Sequence, residues 1–314
     1  MHVIEHLDRS KKTLFSYEII PPARGKSAQD IFNIVEQILP FEPPFIDVTS
    51  HPAEAYYEEN GNGTIRRRVR KKRPGTISIC GIIQNRYGID TVPHLLCRGF
   101  TQEETEDAMI ELAYLDIHNV LAIRGDEPNY KKQIGSHRTV NHYANELVAQ
   151  LRDLKNGKYL EDIANSEPID LCIGVGGYPE KHTESPNRKM DIQYLKLKVD
   201  AGADYIVTQM YYDNRDFFHF VDDCRAAGIE VPIIPGLKII DRISQLTLLP
   251  KNFHVSLPEQ LVDEAMANPK HVKEIGVNWT AKQCEELLNN SVKCIHFYIM
   301  SDATAVTETI KKLG

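Results

Sequence analysis

The chain has 314 residues, of which 42% are hydrophobic and 26% are charged, and this balance excludes a wholly disordered protein. Its formal net charge of −7 disfavours a general nucleic-acid-binding role, which usually needs a basic surface. The sequence has no run of 18 apolar residues, and its polar start lacks the apolar core of a signal peptide, so we expect no membrane span and no secretion signal.

Short apolar runs rich in valine, isoleucine and aromatic residues predict eight strands. In chain order they are Leu14–Ile20, Phe45–Thr49, Val92–Cys97, Val120–Arg124, Leu171–Val175, Tyr205–Gln209, Ile233–Leu237 and Cys294–Ile299. Several of these runs are apolar at nearly every position, which is typical of parallel strands covered on both faces.

Helical patterns lie between the predicted strands. Three pairs of residues have the spacing of a capping box and predict helix starts: Ser27 with Asp30, Thr101 with Glu104, and Thr280 with Gln283. Residues 77–83 are apolar enough for a strand, but Thr76 can cap a helix that ends at Tyr87, and we favour the helix. The pattern also predicts a long basic loop over 54–75 and a last helix within 302–313.

Eight strands that alternate with helices predict an α/β protein, a single-domain (β/α)8 TIM barrel over residues 1–314. A doubly wound open sheet is the alternative. No GxGxxG motif follows the first strand, which weakens a dinucleotide-binding Rossmann interpretation. The six cysteines have irregular spacing without a CxxC pair, so we expect reduced thiols in a cytoplasmic protein, with no disulfide framework and no zinc site.

In a barrel of this class the active site lies at the carboxyl ends of the strands. Glu18 lies among apolar neighbours in the first strand, and burial there would raise its pKa to suit a general acid, although a structural ion pair is an equal alternative. Arg124 and Asp126 flank Gly125 after the fourth strand, where a salt-bridged turn is the commoner outcome. Other polar residues near strand ends strengthen the prediction as a group: Thr49, Ser50, His51, His94 and Gln209.

The run from Arg66 to Arg73 contains seven basic residues in eight positions, interrupted by Val69. A solvated segment is the favoured interpretation. The functional alternative is an electrostatic patch for an anionic ligand, whereas nucleic-acid binding conflicts with the acidic chain as a whole.

Several motifs in consistent order give the chain its resemblance to the methylenetetrahydrofolate reductase family, from Ser16 to about Tyr298. Tyr17-Glu18-Ile19-Ile20-Pro21-Pro22 is similar to the family's Phe-Glu-Phe-Phe-Pro-Pro. The other matching segments are Val48-Thr49, Pro93-His94-Leu95, Arg124-Gly125-Asp126, Tyr143-Ala144, Tyr178-Pro179-Glu180 with His182, residues 195–203, Thr208-Gln209, Pro235-Gly236 and His296-Phe297-Tyr298.

The resemblance implies a barrel that holds FAD and a ping-pong reaction. A reduced nicotinamide, NADH or NADPH, reduces the flavin, which then reduces 5,10-methylenetetrahydrofolate to 5-methyltetrahydrofolate, a methyl source for methionine synthesis. The resemblance also implies that Glu18 is the general acid at N10 of the folate and that Asp126 stabilises the iminium cation.

The resemblance further implies how the remaining site residues are used, with no metal. Residues implied to bind the cofactor are Thr49, Ser50, His94, Arg124, Gly125, Asp126, Ala144, Tyr178, His182, Asp191 and Lys198. Residues implied to bind the folate or the nicotinamide are Gln209, Gln245 and Tyr298.

The chain departs from the family pattern at Tyr194, Leu197, Leu249 and Asp302, near the expected flavin, donor and folate sites. The electron donor is therefore open among NADH, NADPH and a reduced protein partner. The family often forms homo-oligomers, but no surface stripe in the sequence identifies an interface. One hypothesis is that residues 66–73 attract the glutamate tail of the folate.

Two other functional classes compete with the reductase. A cofactor-free barrel lyase would use Glu18 for proton transfer and Arg124 to bind an anionic metabolite, and it predicts a colourless protein. A non-catalytic barrel that binds flavin or folate predicts a yellow protein without turnover.

Overall fold

The computed structural model describes residues 1–126, 132 and 134–313. Their helices and strands are, in chain order, α1 (Val3–Arg9), β1 (Leu14–Ile19), α2 (Ala28–Ile38), β2 (Phe45–Val48), β3 (Glu54–Glu59), β4 (Ile65–Arg70), α3 (Thr76–Tyr87), β5 (Asp90–Leu96), α4 (Gln102–Tyr114), β6 (Asn119–Ile123), α5 (Ala144–Lys155), β7 (Cys172–Gly177), α6 (Arg188–Ala201), β8 (Tyr205–Met210), α7 (Asn214–Ala226), β9 (Ile233–Leu237), α8 (Gln245–Phe253), α9 (Glu259–Ala267), α10 (Val272–Asn289), β10 (Cys294–Met300) and α11 (Thr304–Lys312).

Eight of these strands form a closed parallel barrel in the order β1-β10-β9-β8-β7-β6-β5-β2. Strand β1 pairs with β2 on one side and with β10 on the other, which closes the sheet. The predicted (β/α)8 barrel is thus confirmed, and the alternative of an open sheet is wrong. All eight predicted strands are present, with ends that differ from the prediction by at most two residues.

The apolar residues of the barrel are buried in two layers that face opposite sides of the sheet. Outward-facing strand residues pack against the surrounding helices, for example Ile46 and Val120 against Val35 and Leu112. A second cluster includes Phe45, Val92, Leu121, Tyr205 and Cys294 together with Val3 and Leu7 of α1.

Helix α1 is attached to the amino-terminal ends of the strands. The Val3 amide donates to Oδ1 of Asn119 at 2.8 Å, and Nε2 of His6 lies 2.6 Å from Oδ2 of Asp90, the first residue of β5. The amino-terminal end of the barrel is therefore occupied by a helix and an apolar cluster, so polar chemistry belongs to the opposite end.

The capping boxes predicted at Ser27 and Thr101 are present, and the predicted helix Thr76–Tyr87 is confirmed. The helix start predicted at Thr280 is wrong because α10 begins at Val272 and buries Thr280 in its interior. Gly276 disfavours a helix by propensity, but here it lets α10 approach the backbone of Ile240, where a Cβ would lie 1.9 Å from the carbonyl oxygen.

Residues 54–75, predicted as a long loop, instead contain an antiparallel hairpin of β3 and β4. The turn between the strands uses Gly63 with a φ of 75°, and the Asn60 amide donates to the Thr64 carbonyl. Across the strands, Nε of Arg68 lies 2.9 Å from Oε2 of Glu58. Cross-strand pairing of acidic and basic residues thus stabilises strands that lack the alternating apolar pattern.

All six cysteines are buried free thiols. Within the part of the chain that the structure describes, no helix is both long and apolar enough to cross a membrane.

Candidate active site

Strand alternation places four ionisable side chains inside the barrel, toward the carboxyl ends of the strands. They are Glu18 of β1, Asp47 of β2, His94 of β5 and His296 of β10, and we call them the inner polar cluster. None has more than 8% of its surface exposed. Burial of this many polar groups is costly, and it points to a functional site.

Two distances show how close the members of the inner polar cluster are. Nε2 of His94 lies 3.4 Å from Oε2 of Glu18 and 3.6 Å from Oδ1 of Asp47. Deeper in the barrel, Nδ1 of His296 lies 2.9 Å from the Ser16 hydroxyl and 3.9 Å from Oδ2 of Asp47. The cluster therefore continues from the carboxyl end of β1 into the barrel interior.

Burial dominates the proton affinities in the inner polar cluster. Desolvation raises the pKa of Glu18 to about 7, against the favourable charge of His94 and with a further increase from Asp47. The same cause raises the pKa of Asp47 and lowers that of His94. It also lowers the pKa of His296 to about 3, so this imidazole is neutral at neutral pH.

Tyr298 and Lys238 border the cluster on the side of β9 and β10. The Tyr298 hydroxyl donates to the carbonyl of Thr208 at 2.6 Å, and Nζ of Lys238 donates to the carbonyl of Tyr298 at 3.2 Å. Gly236 makes this arrangement possible, since a Cβ there would lie 2.2 Å from the Thr208 carbonyl oxygen and 2.6 Å from the Tyr298 ring. Tyr298 is thereby fixed beside Glu18. Burial raises the pKa of Tyr298, and the charge of Glu18 raises it further.

A second group of predicted residues meets beyond the ends of β6 and β7. The rings of Tyr178 and His182 are in edge contact at 4.6 Å, and the His182 amide donates to Oδ2 of Asp191 at 3.1 Å. The other oxygen of Asp191 accepts from the Ser185 hydroxyl at 2.6 Å. Nη2 of Arg124 lies 2.5 Å from Oε1 of the exposed Glu184.

Lys198 of α6 adds a second cation to this side of the barrel. Its Nζ donates to the carbonyl of Gly176 at the end of β7. Desolvation lowers the pKa of Lys198 to about 8, with the charge of Asp191 opposing the shift. Gly176 leaves open space beside it, because a Cβ there would meet only one atom, of Ile123, at 3.9 Å.

Gly125 and Asp126 connect the two groups. Gly125 has a φ of 81°, a conformation that favours glycine, and it turns the chain after β6. Asp126 is exposed. Its charge acts on His51, near the inner polar cluster, and on Tyr178, just after β7, so Asp126 is near both groups of residues.

Thr49 and Ser50 follow β2, on the opposite side of Glu18 from β10. The Thr49 amide donates to the carbonyl of Ile19, while its hydroxyl has no hydrogen-bond partner in the described part of the chain. Nδ1 of His51 is likewise buried without a partner among the described residues. Burial and the charges of Arg73 and His94 lower the pKa of His51.

Three predicted residues stand apart from these contacts. Gln209 ends β8, and its Oε1 accepts from the Met210 amide at 3.0 Å. Oε1 of Gln245 accepts from the amides of Asp241 and Arg242, so only its amide nitrogen is left for a ligand. Ala144 is the first residue of α5 and is half-buried.

The sequence interpretation assigned no role to Asp47, Lys238 or the imidazole of His296. A charged residue within the apolar run Phe45–Val48 is the same signal that identified Glu18, so Asp47 was recognisable by that criterion. Nothing in the sequence places His296 near Asp47, because their strands are far apart in the chain and are separated in the barrel by β1.

Comparison with known proteins decides the family. The family model described as methylenetetrahydrofolate reductase matches residues 3–314. The chain belongs to the methylenetetrahydrofolate reductase family. This confirms the resemblance of the sequence motifs to methylenetetrahydrofolate reductases.

Two curated methylenetetrahydrofolate reductases illustrate the relationship. Methylenetetrahydrofolate reductase 1 of Schizosaccharomyces pombe is 31% identical over 98% of this chain and 47% of its own length. The 5,10-methylenetetrahydrofolate reductase of Escherichia coli K12 is 29% identical over 92% of this chain and 86% of its own length. The chain thus spans about half the length of the fission yeast relative and most of the bacterial one.

The fold also matches a solved structure. A Clostridium thermocellum protein described as binding two copies of 5-methyl-5,6,7,8-tetrahydrofolic acid superposes with a TM-score of 0.59. The identity is 13%, and the match covers 98% of this chain and 96% of that one, so the likeness shows the barrel fold.

The departures from the methylenetetrahydrofolate reductase pattern have different structural settings. Tyr194 and Leu197 are exposed on α6. Leu249 is buried in an apolar cluster with Met210 and Ile240. Asp302 accepts from the amide of Thr304, the first residue of α11, at 2.9 Å, which gives this residue a structural use.

Proposed function

We propose that the chain reduces 5,10-methylenetetrahydrofolate to 5-methyltetrahydrofolate, with FAD as its cofactor and NADH or NADPH as the donor. The buried Glu18 at the carboxyl end of the barrel, whose pKa burial raises to about 7, carries this proposal. Family membership supports the substrate class, and the product would provide a methyl group for methionine synthesis.

The chemistry explains why a carboxyl group with a pKa near 7 belongs here. The five-membered ring of the folate must open before its carbon can accept hydride, and opening requires a proton on the departing nitrogen, N10. A general acid is most effective when its pKa is close to the working pH. Glu18 meets this condition because desolvation raises its pKa to about 7. In the proposed step, Glu18 gives its proton to N10 while the carbon–nitrogen bond breaks.

Ring opening leaves a positive charge on the folate iminium group. Asp126 is a carboxylate at the same end of the barrel, within electrostatic reach of Tyr178 and His51. A fixed negative charge near a developing cation lowers the barrier. We assign this role to Asp126, and we assign folate or nicotinamide binding to Gln209, to the amide nitrogen of Gln245 and to Tyr298.

The residues at the carboxyl end of the barrel fit a flavin dinucleotide. The half-buried cations Arg124 and Lys198 suit a diphosphate, and the open space beside Gly176 gives a ligand access to the β7 end. The unpartnered Thr49 hydroxyl and Nε2 of His94 suit polar ring atoms. Ser50, Gly125, Ala144, Tyr178, His182 and Asp191 complete the proposed cofactor set. When bound, FAD would accept hydride from the nicotinamide and deliver it to the folate.

We propose a reduced nicotinamide, either NADH or NADPH, as the electron donor. Curated relatives whose names specify NADH and NADPH match this chain at 29% and 28% identity, respectively. A reduced protein partner is the alternative. A cytoplasmic location is part of the proposal, in keeping with the six free thiols.

An anaerobic absorbance experiment tests the proposal. The purified protein is expected to show the yellow spectrum of an oxidised flavin, to bleach with NADH or NADPH, and to regain its colour when methylenetetrahydrofolate is added. A protein that stays colourless after incubation with FAD contradicts the cofactor assignment and favours the lyase. A flavin that bleaches but is not reoxidised by the folate contradicts the reductase and favours a flavin-binding protein without this turnover.

A further inference from the structure

Asp47 is a second buried carboxyl group beside Glu18. It lies on β2 directly opposite Glu18 in the parallel register of β1 and β2, and it is completely buried. Neither of its carboxylate oxygens has a hydrogen-bond partner in the described chain. The described residues also contain no group of three or more ligands arranged to hold a metal ion. A carboxyl group left in this state calls for an explanation other than fold stability.

His94 lies between Asp47 and the proposed acid, Glu18. Its Nε2 lies 3.4 Å from Glu18 and 3.6 Å from Asp47. Nε2 of His94 makes a hydrogen bond to neither carboxyl group in the described part of the chain, so the imidazole satisfies neither of them. Two carboxyl groups in one desolvated space also resist simultaneous ionisation, because each negative charge disfavours the other.

We propose that Asp47 is a positioning residue that keeps one proton in the Glu18–Asp47 pair, because two buried carboxyl groups beside one imidazole oppose a second negative charge. The proposal rests on the proposed function, since it concerns the proton that Glu18 transfers to N10. One proton leaves Glu18 in that step, and one proton from solvent restores it after the product has left.

The surroundings of Asp47 leave few other groups to take part. The titratable groups that face Asp47 from β8, β10 and α3 are Tyr205, His296, Tyr298, Cys294 and Cys80. Burial raises the pKa of both tyrosines and both thiols and lowers that of His296 to about 3, so all five are neutral at neutral pH. Lys238 is the cation that acts on Glu18 from the β9 side. Glu18 and Asp47 are thus the two carboxyl groups that share this space, with His94 between them.

The Asp47→Asn variant tests the proposal, because asparagine keeps the size of the side chain and cannot become negative. The pH profile of flavin reoxidation by methylenetetrahydrofolate should shift to lower pH. Each unit by which the pKa of Glu18 falls lowers its protonated fraction at higher pH by about tenfold. Flavin reduction by the nicotinamide should be unchanged. Thr309→Val, which removes a buried uncharged hydroxyl from α11 outside the barrel interior, should leave the pH profile in place.

A spectroscopic measurement separates this proposal from the proposed function. The carboxyl carbons of Glu18 and Asp47 can be followed by NMR in the carbon-13-labelled holoenzyme. We expect coupled titrations in the wild type, and a lower pKa for Glu18 in Asp47→Asn. Independent titration of the two carbons, or an unchanged Glu18 pKa in the variant, overturns the role of Asp47. A wild type that does not reduce the folate instead overturns the proposed function, and the NMR result still decides about Asp47.

Discussion

Nε2 of His94 lies 3.4 Å from Oε2 of Glu18, although the two strands that carry them, β5 and β1, are separated in the barrel by β2. Both side chains are buried, and their contact spans the barrel interior. The contact brings together the proposed acid, Glu18, and a residue assigned to cofactor binding, His94. Substitution of Glu18 should therefore affect reduction of the folate rather than reduction of the flavin.

The Glu18→Gln variant should lose folate reduction and keep flavin reduction. The amide is similar in size and cannot supply the proton to N10, and removal of a general acid typically costs a factor of about 10² to 10⁴ in rate. Stopped-flow absorbance of the two half-reactions measures this split. Equal losses in both half-reactions, or none in the folate half-reaction, would contradict the assignment of Glu18.

The same substitution should stabilise the protein at alkaline pH. The pKa of Glu18 rises from 4.5 to about 7 on folding, so the folded state disfavours its ionised form. The contribution of Glu18 to the free energy of unfolding is therefore fully present below pH 4.5, and it is lost as the pH rises through about 7. The Glu18→Gln variant avoids this loss, which is on the order of 3 kcal/mol at pH 8.

Urea unfolding at pH 4.5 and pH 8 measures that difference. The variant should exceed the wild type in free energy of unfolding at pH 8 and approach it at pH 4.5. Glu264→Gln, at an exposed position of α9, serves as the control and should show no such pH-dependent gain. A variant with the same advantage at both pH values would show that burial of the Glu18 charge is not the cause.

Lys198 should contribute strongly to cofactor affinity. Its ammonium group is held near the end of β7 by the Gly176 carbonyl, and in the proposed site it faces the diphosphate. Replacement by methionine keeps the length of the side chain and removes the charge, so the dissociation constant for FAD should rise by at least about tenfold.

Fluorescence titration of the apoprotein with FAD provides the measurement for Lys198. The matched control is Lys196→Met, two positions earlier on α6, where the lysine pairs with Asp200 at the surface at 2.8 Å. If both variants bind FAD equally well, Lys198 does not contact the diphosphate.

The basic hairpin tests the hypothesis about the glutamate tail of the folate. It is anchored next to the proposed site, since Arg73 donates to the Pro21 carbonyl and the Arg24 amide donates to the Lys72 carbonyl. Neutralising Arg66, Arg68, Arg70 and Lys71 together should raise the Michaelis constant for the folate severalfold at low salt, and less at high salt, because salt screens exposed charges.

Steady-state kinetics with the folate at two ionic strengths measures this effect. Four exposed lysines away from the hairpin provide a control with the same change in net charge: Lys270, Lys282, Lys311 and Lys312. An unchanged Michaelis constant in the hairpin variant would favour the solvated-segment interpretation, which the pairing of Arg68 with Glu58 also supports.

Local patterns were sufficient for much of the fold. The apolar runs located eight strands, and the capping residues Ser27 and Thr101 located two helix starts, because strand periodicity and capping depend on neighbouring residues. The errors lie where long-range contacts outweigh local preference. Gly276 is compatible with α10 because of its contact with Ile240, and β4 is a strand because β3 supplies its acidic partners.

Local periodicity and the order of the motifs were enough to predict the barrel, the family and Glu18 as the candidate acid. The meeting of Asp47, His94 and His296 with Glu18 in the interior depends on closure of the barrel, which brings together residues that are distant in the chain. The proton affinity of Glu18 also depends on the folded structure. The pKa of Glu18 depends on how much water surrounds the carboxyl group and which charges lie near it, and both are properties of the folded barrel.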